Sequence, residues 1–266
     1  MVRPLAMTTV VLLAACDGSG VTQPTPTVGV ATATPSVQSL LFSGWVADTA
    51  GRLLEGARVE VLSGLNAGAV AIADREGQFA FSQPFADVPG VRATKEGYVP
   101  ANSNVWVHNG MAIRGWFRLG SPNPAVDLSG SYTLTFTADP ACQSLPSQAR
   151  SRTYHTTVGP SATPGLVTLE GARFANVGIG YLGNVIYVSA FENFVRLSFS
   201  DPPIWELLDD PTSVYIFGDA TGTVSGSVSE LTVAGEFEYC GVTEGSECEQ
   251  EVACQSNRHR LVLTRR

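Results

Sequence analysis

The sequence predicts an all-β protein, in which a small antiparallel β-sandwich is followed by a closed antiparallel β-barrel. Apolar and polar residues alternate in short runs, such as residues 57–61 and 131–137, as they do in strands with one buried face. The 27 glycines and 16 prolines among the 266 residues supply frequent turns between such runs. Only residues 201–208 are predicted to be helical, with Asp201 as the cap and Pro202 at the first helical position.

The chain begins with the features of an export signal in residues 1–15. Arg3 supplies the positive charge, and an apolar run over residues 5–15 follows it. This run is shorter than the roughly 20 residues that a transmembrane helix needs. Residues 1–15 are therefore predicted to be a signal peptide.

A cysteine follows the apolar run directly, in the tetrapeptide Leu13-Ala14-Ala15-Cys16. The tetrapeptide resembles the bacterial lipobox, which implies cleavage before Cys16 and a diacylglycerol on its sulfur. Two or more acyl chains give stable membrane anchoring. The resemblance therefore implies a lipid-anchored protein of the bacterial cell envelope that faces the periplasm or the cell exterior. The alternative is an ordinary signal peptide followed by a chance cysteine.

Residues 16–39 are predicted to be a flexible tether after the lipidated cysteine. They are rich in Thr, Pro, Val, Gly and Ser and show no alternating core pattern. Pro24, Pro26 and Pro35 favour extended polyproline conformations and block a helix. Such a segment buries too little apolar surface to order itself, so it would hold a folded body away from the membrane.

The charge balance excludes two classes of partner. With 16 basic and 24 acidic residues the formal net charge is -8. Nucleic acids require a basic footprint, and anionic lipid head groups require a basic patch. We therefore expect no nucleic acid partner, and membrane attachment through the acyl chains alone.

Residues 40–120 contain about seven short strand-like runs and four motifs in a fixed order. The motifs are Gly44-x-Val46-x-Asp48-x-x-Gly51, Gly56-Ala57-x-Val59-x-Val61, Asp74-x-x-Gly77-x-Phe79-x-Phe81 and Lys95-x-Gly97-Tyr98. Together they resemble the carboxypeptidase regulatory-like domain. The resemblance implies a transthyretin-like sandwich with a carbohydrate-binding-like fold, a domain that is itself non-catalytic.

Three tryptophans of this sandwich, Trp45, Trp106 and Trp116, are candidates for a sugar-stacking platform. A flat indole ring can stack on the face of a sugar ring. The alternative, and the commoner role of such residues, is packing in the core or on a sheet face.

Residues 127–266 are predicted to form the barrel, after a boundary marked by Pro122 and Pro124. Closure of a barrel requires its first strand, residues 131–137, to pair with its last, residues 259–264. The order Gly130-x-Tyr132-x-Leu134 followed by a closing strand resembles lipocalin-like barrels. That resemblance implies a cavity for a small apolar ligand, whereas a barrel of this size can equally be filled by its own side chains.

Four cysteines remain after Cys16, an even set that predicts two disulfides in an exported protein. If the first and last barrel strands are antiparallel, Cys142 and Cys254 lie just beyond adjoining strand ends and would pair. Cys240 and Cys248 would then close a hairpin loop. Sequence alone leaves the other two pairings open.

No catalytic, metal or cofactor site is predicted. The sequence has no nucleophile elbow or phosphate loop, and no His has a Glu three or four residues on. His155 is expected to be an ordinary strand residue. Two groups of carboxylates could bind calcium but are expected to be solvated; they are Glu206, Asp209 and Asp210, and Glu244, Glu247, Glu249 and Glu251.

The predicted function is therefore a membrane-anchored, non-catalytic binding or interaction module of the envelope. Its partner would be a carbohydrate bound by the sandwich, a small apolar ligand carried by the barrel, or another envelope protein. An unrecognised hydrolase is the remaining alternative, because paired carboxylates can be judged only from distances in three dimensions.

Overall fold

The structure, a computed structural model, describes residues 40–102, 105–109, 112–160, 165–175, 183–209, 212–241, 243–244, 247–248 and 251–266. These residues belong to one compact unit. The predicted signal peptide of residues 1–15, Cys16 and the tether of residues 16–39 lie outside the described residues. In the described part of the chain, no helix has the length and apolar character needed to cross a membrane.

Eight strands form a sandwich of two four-stranded sheets. They are β1 (Leu41–Asp48), β2 (Arg58–Val61), β3 (Val70–Ile72), β4 (Gln78–Ala80), β5 (Val91–Thr94), β6 (Ala101–Asn102), β7 (Val105–His108) and β8 (Ala112–Leu119). One sheet has the order β4-β1-β8-β7 and the other β3-β2-β5-β6. A phenylalanine cluster fills the core, in which Phe42 stacks on Phe81 with ring centroids 5.1 Å apart.

One strand pair of the sandwich departs from the predicted antiparallel arrangement. β1 pairs with β8 in parallel, whereas the other paired strands of the sandwich are antiparallel. The long chain between β1 and β8 permits this pairing, which a hairpin cannot make. Gly44 lies directly opposite Gly115, and a Cβ at Gly44 would lie 1.9 Å from the carbonyl oxygen of Gly115. The close approach of these two strands therefore requires glycine.

The remaining strands form the barrel and a small hairpin. They are β9 (Gly130–Thr137), β10 (Ser151–Val158), β11 (Gly165–Thr168), β12 (Arg173–Phe174), β13 (Val185–Phe191), β14 (Phe194–Ser198), β15 (Ile204–Leu207), β16 (Ser213–Thr223), β17 (Val228–Cys240), β18 (Thr243–Glu244), β19 (Glu247–Cys248) and β20 (Glu251–Arg265). The main path runs β10-β9-β20-β17-β16-β14-β13-β11, with β12 and β15 paired beside it.

The first and last barrel strands pair, as closure requires. β9 and β20 are antiparallel, with Thr137 opposite Arg260. On the other side of β10, His155 and Glu170 exchange backbone hydrogen bonds of 2.9 and 2.7 Å. These contacts bring the two ends of the sheet together into a nearly closed antiparallel barrel. The predicted all-β architecture of a sandwich followed by a barrel is confirmed.

Both disulfides lie in the barrel. Cys142 is bonded to Cys254, with Cα atoms 5.7 Å apart, and Cys240 is bonded to Cys248. Cys142 follows the end of β9, whereas Cys254 lies inside β20, opposite Phe237 of β17, because the last strand begins at Glu251 and not at the predicted residue 259. The pairs are those that the strand order favoured. The second bridge closes the hairpin of β18 and β19 onto the end of β17.

Residues 201–208 are not helical, so that prediction is wrong. Residues 204–207 form β15, and Ile204 and Glu206 are both buried while their neighbours Trp205 and Leu207 are only partly so. This two-residue burial period is that of a strand. β15 pairs with β12 and β16. The helix of the described chain is instead α1 (Ser147–Arg150), one turn before β10.

Candidate functional site

The outer face of the sheet β4-β1-β8-β7 carries the three tryptophans named as stacking candidates. On β1, Phe42 is buried in the core, so Trp45 lies on the opposite, outer face. On β8, Ile113 and Phe117 are buried, and Trp116 lies on the outer face. The register places Trp45 directly beside Trp116, with their ring centroids 5.9 Å apart. The pattern of alternation thus brings two indoles together on the outside of the sandwich.

The third tryptophan lies on β7, the edge strand of the same sheet. Trp106 is opposite Arg114 of β8 and is 44% exposed. Trp45 and Trp116 are partly buried, which leaves Trp106 as the most open of the three rings. The indole Nε1 of Trp116 is buried and has no hydrogen-bond partner within the described part of the chain. The face therefore combines one open indole with two that pack against each other.

An open groove of about 580 Å³ crosses this face. We call it the tryptophan groove and define it by its principal lining residues Trp45, Asp74, Gln78, Trp106, His108 and Arg114. Small-molecule sites in proteins usually measure roughly 300–1,000 Å³, so the groove has room for a ligand of one or a few sugar rings.

Polar groups surround the indoles in the tryptophan groove. Arg114 donates a hydrogen bond from Nη1 to the hydroxyl of Ser43. Among the described residues no carboxylate lies within ion-pair distance of Arg114. Asp74 is fixed in the turn before β4, where its carboxylate accepts a 2.7 Å hydrogen bond from the backbone N–H of Gln78. The groove thus offers hydrogen-bond donors and one acceptor beside flat apolar surfaces.

One carboxylate lies among the residues that line the tryptophan groove. Glycosidases place two carboxyl groups about 5–9.5 Å apart, one on each side of the bond that they break. Asp74 is the single carboxylate among the residues that line the tryptophan groove. A ring with an apolar face and polar edges can stack on Trp106 or Trp45 and hydrogen-bond to the groups around them.

The barrel interior is packed with side chains. Phe136, Tyr154, Phe199 and Phe237 are among its fully buried residues. A space of about 20 Å³ lies at the end lined by Leu128 and other apolar residues. That is room for about one water molecule, far below the 300 Å³ or more of a typical ligand site. The described interior agrees better with a barrel filled by its own side chains than with one that has a ligand cavity.

Glu206, named as a candidate calcium ligand, is engaged inside the barrel. Its side chain is 5% exposed and forms two hydrogen bonds with the guanidinium of Arg152. The hydroxyl of Tyr154 also donates to Glu206, at 2.9 Å. Burial, followed by the negative charge of Glu206, raises the pKa of Tyr154 well above its usual range. The carboxylate therefore stabilises a structural network and is not free to bind a metal.

Of the other candidate acids, the structure describes the side chains of two. Asp209 and Glu251 are exposed. Asp210, Glu249 and the side chains of Glu244 and Glu247 lie outside the described residues. Among the described residues no group of three or more His, Cys, Asp or Glu side chains could hold a metal ion.

The two described histidines of the barrel contact other residues of the fold. His155 lies on β10, where its ring contacts the side chains of Thr133 and Arg266. His259 is buried, accepts a 2.9 Å hydrogen bond at Nδ1 from the backbone N–H of Asp139, and donates from Nε2 to the carbonyl of Gly235 at 3.2 Å. Burial lowers the pKa of His259, which favours the neutral ring that this pattern requires.

Asp139, whose backbone N–H donates to His259, also forms hydrogen bonds through its carboxylate. Its carboxylate accepts hydrogen bonds from the backbone N–H of Ala141 at 3.0 Å, from Ser256 at 2.6 Å and from Arg258 at 3.1 Å. These donors, with the Ala141 backbone first, lower the pKa of Asp139 to about 2.

Sequence reasoning found the tryptophans but missed their polar neighbours. Arg114 is one residue after buried Ile113 and two before Trp116, so the alternation of β8 was a sufficient signal to place it on the outer face. His108 and Gln78 gave no comparable signal, because their positions depend on the order of the strands in the sheet.

Comparison of the chain with protein-family models, with curated proteins and with solved structures finds no match.

Proposed function

We propose that this protein is a non-catalytic carbohydrate-binding protein of the bacterial cell envelope, which binds its ligand in the tryptophan groove. One observation carries the proposal: Trp45 and Trp106 line an open groove of about 580 Å³ on an outer sheet face. An aromatic strip on an exposed sheet face is the feature that favours sugar binding over simple packing. The resemblance to the carboxypeptidase regulatory-like domain, with its carbohydrate-binding-like fold, agrees with this choice.

The physical basis is the match between an indole and a sugar ring. A pyranose has a face of C–H groups, which loses water favourably against an aromatic ring, and a rim of hydroxyls that must keep hydrogen bonds. Trp106 and Trp45 supply the flat surfaces. Arg114, Gln78 and Asp74 supply donors and an acceptor for the rim. The groove is open at the surface, as binding to a long polymer requires.

The filled barrel supports the choice of the sandwich as the binding part. A carrier of small apolar molecules needs an interior cavity, and the apolar space lined by Leu128, Tyr132 and Leu263 in the described barrel is about 20 Å³. In this proposal the barrel is a rigid, disulfide-bonded body that presents the sandwich.

Binding to a panel of soluble polysaccharides, measured by affinity electrophoresis and calorimetry, tests the proposal. We expect Trp106→Ala and Trp45→Ala each to weaken binding at least tenfold, since the loss of about 60 Å² of buried apolar contact at about 25 cal/mol per Å² already corresponds to a factor of ten. Tyr239→Ala is the matched control, because Tyr239 is a partly exposed aromatic residue of the barrel that lines neither groove. Absence of binding to every polysaccharide, or unchanged binding by Trp106→Ala, would overturn the proposal.

The proposed envelope location rests on Cys16 and is tested separately. We expect the full chain to fractionate with membranes and Cys16→Ser to become soluble in the periplasm or the medium. Ser19→Ala is the control, since Ser19 lies three residues after Cys16 and outside the tetrapeptide that resembles the lipobox. Membrane association of Cys16→Ser equal to that of the unchanged chain contradicts the lipid anchor.

A further inference from the structure

The charges of the protein are unevenly divided between its two parts. Residues 40–120 contain seven acidic and seven basic residues, whereas residues 127–266 contain sixteen acidic and eight basic ones. The negative charge of the folded chain therefore lies in the barrel. The sandwich is neutral overall, so the sign of the potential on each of its faces depends on local placement.

The outer face of the sheet β4-β1-β8-β7 has a positive strand surface. Its outward strand positions include Arg114 and Arg118 on β8. No Asp or Glu occupies an outward strand position of this sheet within the described ranges. Asp74 lies at the rim, in the turn before β4, and β1 separates β4 from the strand that carries Arg114.

Neither arginine of β8 is neutralised by a carboxylate. In the described part of the chain, seven arginines form ion pairs, and Arg114 and Arg118 are not among them. Arg114 uses one of its five N–H groups on the hydroxyl of Ser43. The guanidinium of Arg114 is therefore held in position and has donors left for a ligand.

Along β8 the outer face alternates cation, aromatic ring and cation. Arg114, Trp116 and Arg118 are successive outward residues, so neighbours in this row are about 7 Å apart along the strand. Arg118 lines a second groove of about 350 Å³, whose lining also includes Arg196 and the carboxylate of Asp201. The outer row of β8 thus supplies one arginine to each groove, a spacing that suits a linear polymer with a repeated negative charge.

We infer that the ligand is an acidic polysaccharide whose sugar rings carry carboxylates. This inference rests on the proposed carbohydrate function and names the class of sugar. The planar fork of Arg114 matches a carboxylate through two parallel hydrogen bonds, while the rings of the sugar stack on Trp106 and Trp45. Arg118 binds the carboxylate of another sugar unit of the same polysaccharide.

The test compares one polymer backbone with and without its charge. Polygalacturonate and its fully methyl-esterified form have the same rings, but only the first has free carboxylates. We expect the unchanged protein to bind polygalacturonate at least tenfold more tightly than the ester and to lose this preference as NaCl is raised. Arg114→Gln should reduce the preference to less than about threefold, which corresponds to the loss of one charge-assisted contact.

Arg92→Gln is the matched control, because Arg92 is an exposed arginine on β5 of the other sheet and forms no ion pair within the described chain. It should keep the preference of the unchanged protein. Equal binding of the two polymers overturns the inference, as does an Arg114→Gln variant that loses affinity for both equally. Dextran sulfate that binds as tightly as polygalacturonate also overturns it, since the site would then bind any polyanion.

These outcomes are separate from the failure of the proposed function. Binding of a neutral polysaccharide in preference to polygalacturonate, with loss on Trp106→Ala, would overturn the acidic ligand and leave carbohydrate binding in place. Absence of binding to every polysaccharide would overturn both.

Discussion

The guanidinium of Arg52 lies over the ring of Phe191, with Cζ 4.9 Å from the ring centroid, and so joins the sandwich to the barrel. The same group lies 4.5 Å from the ring centroid of Phe194. Its Nε donates to the buried carboxylate of Asp48 at 2.6 Å, which holds the guanidinium between the two rings. Tyr98 of the sandwich also contacts Phe191, at 5.1 Å between centroids.

We predict that Arg52→Ala lowers the free energy of unfolding by about 2–3 kcal/mol, because it removes a cation–π contact and leaves Asp48 buried with only backbone donors. Arg75→Ala is the control, since its side chain is 85% exposed and its contact with Glu55 is 3.7 Å long. It should change the free energy by less than about 0.5 kcal/mol. Urea titration measures both values, and equal effects would contradict the role of Arg52.

The two disulfides should contribute unequally to stability. The Cys142–Cys254 bridge spans 112 residues and the Cys240–Cys248 bridge spans 8. In the chain-entropy account, their removal by paired Cys→Ser changes costs about 4–5 and about 2–3 kcal/mol respectively, since the longer loop restricts the unfolded chain more. Guanidinium unfolding of the two double variants checks the order. A smaller loss for the Cys142–Cys254 pair would contradict it.

Removing only Arg152 from its buried pair with Glu206 should lower the free energy of unfolding more than replacing both residues with neutral ones. Arg152→Met leaves a nearly buried carboxylate without its cation and is expected to lose about 3–5 kcal/mol. Adding Glu206→Gln removes the stranded charge, so the double variant should recover part of that loss. Thermal and urea unfolding of the single and double variants measure the difference. A double variant less stable than Arg152→Met alone would count against a structural ion pair.

Protonation of His259 should make the barrel less stable in mild acid. Burial lowers the pKa of the folded-state ring below its ordinary value of 6.5. The neutral ring therefore contributes stability above pH 6.5, and this contribution is lost as the pH falls from there towards the folded-state pKa. The slope can approach about 1.4 kcal/mol per pH unit for one proton.

The measurement is the free energy of unfolding between pH 7.5 and 5. His259→Gln should be less stable at pH 7.5 and should lack most of the decline seen in the unchanged chain. Asp139 does not contribute in this range, because its stabilising effect is lost below its ordinary pKa of 3.8, towards about 2. The same decline in His259→Gln would assign it to another group.

Much of the fold follows from local alternation and from the requirement that a barrel close on itself. The runs around Ala57–Val61 of the sandwich and Ser131–Thr137 of the barrel become strands, and closure correctly pairs β9 with β20. That pairing in turn places Cys142 near Cys254. These features depend on residues close in sequence or on one topological rule, so they could be predicted.

Features that depend on distant partners could not be predicted. Residues 201–208 were predicted to be a helix with Glu206 as a solvated residue. Its burial depends on an ion pair with Arg152, which lies 54 residues earlier in the chain. The parallel pairing of β1 with β8 depends on how the intervening strands cross between sheets. For the candidate site, the sequence supplied the tryptophans, whereas the meeting of Trp106 with Arg114 required the strand order β8-β7.

The pairing of β20 with β9 also bears on the order in which the protein can fold. Every strand of the sandwich precedes the barrel, so the sandwich can be complete while later residues are still being synthesised. The barrel sheet stays open between β9 and β17 until the last of its strands emerges. A chain shortened before β20 should therefore keep a folded sandwich beside a barrel with two unprotected edges, a form that self-association and proteolysis would remove.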